Sequence, residues 1–171
     1  MTEETEKQPE AVVIAYSAAE SVQADTVTMR QAAANNVTAK EIIVRQGGIL
    51  RAQADTISVQ SGGIGYAEVE TAQLATSQAN ALVVKGDVSL DQSGAGVLVA
   101  QGAVQMDQSG AVLMVARDVQ VKDSSVVFLI ANEVQGDLKT QFGPLESILF
   151  GAVAGLVAGL VLLFGGRRKK K

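Results

Sequence analysis

Apolar and polar residues alternate in short spaced pairs along this chain, and the pairs return at a fixed step. Val88 with Leu90 and Val104 with Met106 occupy matching places in two near-copies, GDVSLDQSGAGVLVAQ and GAVQMDQSGAVLMVAR. The same pair appears upstream as Ala72 with Leu74, Ile57 with Val59, Ile42 with Val44, Val27 with Met29 and Val12 with Ile14, and downstream as Val119 with Val121, always 15 or 16 residues on. Within each pair the period is two, which puts one set of side chains inside and the other in solvent, so the pairs predict strands. A corner follows each strand, at Gln46-Gly47-Gly48, Gln60-Ser61-Gly62-Gly63, Gln92-Ser93-Gly94 and Gln108-Ser109-Gly110, all rich in residues that tolerate turn geometry. A second short strand then carries the inner pairs Ala52 with Ala54, Ala67 with Val69, Leu82 with Val84, Leu98 with Ala100, Met114 with Ala116 and Leu129 with Ala131.

Two strands and two turns consume the whole repeat, which leaves no room for a helical hairpin or a propeller blade. One coil of an all-β, short-coil β-solenoid fits it, and fixed-period repetition is the mark of such stacks. Seven to eight coils at ~4.8 Å each make a rod roughly 35 Å long. A core that thin accounts for the many Ala and Val. The competing architecture, a β-sandwich, also has short even strands, but nothing in it holds their spacing to within one residue.

The outward residues of the second strand change character coil by coil. They read Asn36 with Thr38, Arg51 with Gln53, Tyr66 with Glu68, Ala81 with Val83, and then the wholly apolar Val97 with Val99, Leu113 with Val115 and Phe128 with Ile130. Two arrangements are open: these last coils expose an apolar ribbon of the kind that marks a partner or membrane contact, or they bury both faces or have their inner and outer sides swapped. Asp91 and Asp107 are expected to stack one coil apart with Lys122 next. Two carboxylates are fewer oxygen ligands than hard-cation sites gather, so a solvated corner is the preferred reading.

The ends differ from the repeat. Residues 1–10, MTEETEKQPE, are acidic and aperiodic, and are expected to form a disordered tail. The solenoid is expected over 11–138, followed by a cap or linker over 139–146, where Gly143-Pro144 breaks the pattern. Residues 147–166, SILFGAVAGLVAGLVLLFGG, carry no charge. As a helix they would run to about 30 Å, enough to cross a bilayer. Ile148, Leu149, Phe150, Leu156, Leu160, Leu163 and Phe164 would form this transmembrane span. Gly151, Gly155 and Gly159 fall on one helical face, a spacing that lets helix backbones approach and self-associate. The basic tail Arg167, Arg168, Lys169, Lys170 and Lys171 would meet the membrane surface.

Composition narrows the chemistry. The 171 residues include no Cys, His or Trp. Disulfide staples, thiolate zinc sites and every Ser-His, Cys-His or His-metal arrangement are therefore excluded. A formal charge of -4, with no basic stripe on the repeat, argues against nucleic acid as a partner. No cofactor, small-molecule substrate or catalytic residue is expected. The predicted partners are a lipid bilayer and further copies of the chain. For topology two rules conflict. The positive-inside rule puts the basic tail in the cytoplasm and the solenoid outside, whereas the lack of a signal peptide favours a cytoplasm-facing solenoid on a single-pass C-terminal anchor.

Between Asp55 and Gly136 the repeated V-x-V, Q-S-G-G and V-Q-G-D elements resemble the β-helical core of bactofilins, polymer-forming bacterial cytoskeletal proteins. That resemblance implies end-to-end stacking into nonpolar filaments along the inner face of a membrane. Family members generally attach through a short N-terminal targeting sequence, whereas this chain is expected to use its C-terminal span. The reading that follows is a non-enzymatic, membrane-anchored scaffold or self-assembling subunit. Its alternative is a surface-displayed or lumenal module that binds a protein or glycan.

Overall fold

A computed structural model describes residues 10–140, with side chains through Gly136. The strands are β1 (Ala11–Ala15), β2 (Ala18–Gln23), β3 (Thr26–Thr38), β4 (Glu41–Ala75), β5 (Gln78–Val84), β6 (Val88–Asp91), β7 (Gly94–Ala100), β8 (Ala103–Asp107) and β9 (Gly110–Thr140). Every pairing between them is parallel, and each residue lies beside the one 15 or 16 places further on, as in Val27 with Ile42, Ala72 with Val88 and Val104 with Val119. The described residues therefore form an all-β parallel solenoid of about seven turns. No helix occurs among the described residues.

Both sets of spaced pairs point inward as their alternation predicts. Val27, Met29, Ile42, Val44, Ile57, Val59, Ala72, Leu74, Val88 and Leu90 are buried on one side of the coil. Ala52, Ala67, Leu82, Leu98 and Met114, each with its partner two residues on, are buried on another. Leu129 and Ala131, in the last full coil, are half-buried, because that coil has less of the stack beyond it.

The structure adds a third side. The residues read from the sequence as a corner also send side chains into the core: Ser77 with Ala79, Ser93 with Ala95, Ser109 with Ala111 and Ser124 with Val126 are all buried. The second strand is bent where two successive residues face outward, at Asn80 and Ala81 in β5 and at Gly96 and Val97 in β7. Three inward pairs on three sides, rather than two on two, close each coil.

One residue per coil turns the first corner with a left-handed backbone. Tyr16, Gln31, Gln46, Ser61, Thr76, Gln92, Gln108 and Asp123 all have φ between 46° and 64°. For a residue with a Cβ this conformation costs about 1–2 kcal/mol, so something at the corner must offset it. In the later coils a ladder of buried serines does so. The hydroxyls of Ser77, Ser93, Ser109 and Ser124 donate to the carbonyls of Ala75, Asp91, Asp107 and Lys122 at 2.7, 2.7, 2.7 and 2.8 Å, closing each corner upon itself. The same four oxygens accept the backbone N–H of Gly62, Ser77, Ser93 and Ser109 from the coil before, at 2.9–3.2 Å.

The earlier coils have Ala32, Gly47 and Gly62 at this place. A Cβ on Gly62 would meet the Gly47 carbonyl oxygen at 2.7 Å and Val59 Cγ1 at 2.9 Å, and one on Gly47 would be driven into the Ala32 carbonyl. Backbone fills the space that serine hydroxyls fill further along.

Two coils are one residue longer than the rest, and the surplus residues, Gly86 and Gly102, are stacked. The Gly102 N–H donates to the Gly86 carbonyl at 3.1 Å. A Cβ on Gly102 would come within 2.6 Å of the Gly86 backbone, so the matched insertion needs glycine there. The register of the inward pairs passes through the longer coils intact, with Val88 beside Val104.

Candidate interaction surface

Parallel pairing fixes the outer faces as strictly as the core, since the same place in each coil is carried to one line on the surface. On the outer face of the second strand these lines run Asn36 beside Arg51, Tyr66 beside Ala81, Ala81 beside Val97 and Val97 beside Leu113. Two residues on, they run Thr38 beside Gln53, Glu68 beside Val83, Val83 beside Val99 and Val99 beside Val115. Neighbours along such a line are ~4.8 Å apart.

All six residues of the expected ribbon are on the outside of the coil. Val97, Phe128 and Ile130 are exposed at 39%, 45% and 64%, and Val99, Leu113 and Val115 are half-buried between their neighbours. The face also takes in a residue that the spaced pairs do not pick out. Val112, next to Leu113, is 55% exposed, and Val127 beside Phe128 is half-buried. They sit at the outward bend occupied by Asn80 and Gly96 in earlier coils, inside the unbroken apolar runs AVLMVA and VVFLIA where alternation gives no sign of which residue faces out.

The surface has a definite border. Tyr66 and Glu68 form its edge toward the N-terminal coils, and Glu68 Oε1 lies 3.7 Å from Lys85 Nζ on the neighbouring corner. Beyond them the same side carries Arg51, Gln53, Asn36 and Thr38, all exposed. The opposite strand of each coil is polar outside throughout the apolar region: Gln73, Ser89, Gln105 and Gln120 stand in one line. One rod thus has a polar side and, over its later coils, an apolar side.

The stacked acidic residues take the places expected, Asp91 beside Asp107 and Asp107 beside Lys122. Lys122 Nζ reaches Asp107 Oδ2 at 3.3 Å, while the second oxygen, Asp107 Oδ1, is buried without a hydrogen-bond partner. Among the described residues no three His, Cys, Asp or Glu side chains converge.

Comparison with protein-family models, with curated proteins and with solved structures finds no match for the chain. The span residues Ile148, Leu149, Phe150, Leu156, Leu160, Leu163 and Phe164, the glycines Gly151, Gly155 and Gly159, and the tail Arg167, Arg168, Lys169, Lys170 and Lys171 lie outside the described residues.

Proposed function

We propose that this chain is a non-enzymatic structural subunit, a β-solenoid carried on a C-terminal membrane anchor and assembling with further copies of itself at the membrane. The observation that carries the reading is the first coil. Among the described residues, β1 and β2 pair with β3 alone, so each has a second strand edge without a partner strand, and Val13 and Tyr16 beside it are exposed. Such an edge is a template for another strand. In a solenoid whose every coil is laid on the last in one fixed register, the next strand can come from a second copy. The similarity of the Asp55 to Gly136 repeats to bactofilins, which polymerise, points the same way. The uncharged 147–166 segment and the basic residues after it support attachment to a bilayer.

Electron microscopy and sedimentation of the full chain in detergent test this. Assemblies well above the 17.7 kDa monomer are expected, and Val13→Pro, which removes an edge N–H, should shorten them. A strictly monomeric chain at high concentration removes the self-assembly reading.

The basic tail supports a second reading, in which the solenoid is a recognition module displayed outside the membrane. Protease treatment of intact cells separates the two, because an external solenoid would be cut.

A further inference from the structure

We infer that the apolar face of the later coils rests on the lipid bilayer itself, so that the solenoid lies along the membrane rather than standing away from it. The inference rests on the proposed C-terminal anchor, and it deepens that reading by naming which side of the solenoid meets lipid.

Three observations point to lipid. The first is position along the stack. On the outer face of the second strand the places of Asn36, Thr38, Arg51 and Gln53 are polar, with Leu50 exposed beside them, whereas apolar residues hold these places from Ala81 and Val83 onward and are largest at Leu113, Phe128 and Ile130, in the coils closest in sequence to the uncharged segment. The second is covalent reach. Residues 141–146 separate the end of β9 from that segment, and at ~3.6 Å per residue they extend to about 22 Å at most. A span entering the bilayer there would hold the last coils within that distance of the surface, at a high effective concentration.

The third observation is the make-up of the face. It is a surface of Val, Leu, Phe and Ile bordered by Tyr66, and the corner that follows it carries Lys85 and Arg117 together with Asp87 and Asp118, all exposed. An apolar face with an aromatic residue at its edge is the composition of surfaces that settle at the headgroup and acyl boundary. The opposite, polar side, with Gln105 and Gln120 outward, would then face water.

The chain contains no native Trp, so single-tryptophan variants of the full protein report one site at a time. Leu113→Trp and Ile130→Trp probe the face. Gln105→Trp, on the polar side of the same coil as Leu113, and Arg51→Trp, on the same side in an early coil, are the references. Each variant is reconstituted into phosphatidylcholine and phosphatidylglycerol vesicles with and without bromine on the acyl chains, and its fold is checked by circular dichroism.

The expected result is a blue-shifted emission and a ~2-fold loss with brominated lipid at 113 and 130, matching burial to ~5–10 Å, and no loss at 105 or 51. A chain that floats with the vesicles but shows equal emission at all four sites overturns the inference and leaves the anchor standing. A blue shift at 113 without quenching, growing with the protein-to-lipid ratio, overturns it in favour of a second copy covering the face. A chain that does not float at all overturns the anchor and this inference together. Quenching at 113 and 130 in a chain that sediments as a monomer in detergent upholds the inference while the self-assembly reading falls.

Discussion

The early and late coils of this solenoid share one backbone path and differ in what fills its first corner and what covers the outer face of its second strand. In the early coils the corner is packed by Ala32, Gly47 and Gly62 against neighbouring carbonyls, and the outer face is polar apart from the exposed Leu50. In the late coils the corner is held by the serine ladder, and the outer face is apolar. The inward pairs of the two main sides are of one kind throughout. Core repetition sets the path, and corner and outer face are then free to diverge between coils without changing the register. Function in a stack of this kind is therefore best sought in the departures from repetition.

The largest test of that division is a charge placed in the shared core. Ile57→Asp in an early coil and Leu98→Asp in a late one, both fully buried, should each destabilise by more than ~4 kcal/mol, seen as loss of the cooperative melt in circular dichroism. A clear inequality between them would show that the two regions do not share one core. Next is the early corner. Gly47→Ala drives a Cβ into the Ala32 carbonyl, whereas at Gly63 the same change meets nothing within 4 Å. Chemical denaturation should show a loss of about 3 kcal/mol or more for the first and a change within ~1 kcal/mol for the second.

The serine ladder comes third. Ser93→Ala leaves the buried Ser77 N–H without its acceptor and should lower stability by ~1–3 kcal/mol. Gly62→Ser, which tries to extend the ladder by one coil, should destabilise rather than stabilise, because Val59 and the Gly47 carbonyl already occupy the room. The smallest effect is expected at the surface pair. Asp107→Asn loosens an exposed ion pair with Lys122 and should change stability by less than ~1 kcal/mol, less still at high salt.

Much of this was legible in the chain because inward positions on two sides carry Val, Ile, Leu and Met at a period of two. The third side was not, and the reason is chemical. Its first inward place holds Ser, Gly or Ala, which carry no hydrophobic signature, and Gln-Ser-Gly reads locally as a turn. Besides the Asp91 carbonyl, the buried Ser93 hydroxyl is matched by a backbone N–H 16 residues away, a partner no local pattern names. The apolar ribbon could be read once the register was known, since outward places alternate with inward ones. Val112 escaped because it stands at a bend where two outward residues follow one another, and alternation fails there.

Parallel pairing from coil to coil also decides how this rod answers to force. The bonds joining one coil to the next run along its length, so tension applied end to end loads a single rung at a time and lets coils peel away in turn. A push from the side is shared across many rungs at once. A rod lying flat would meet bending and sideways loads in its stiff direction, and would give way first where something pulls its free end lengthwise.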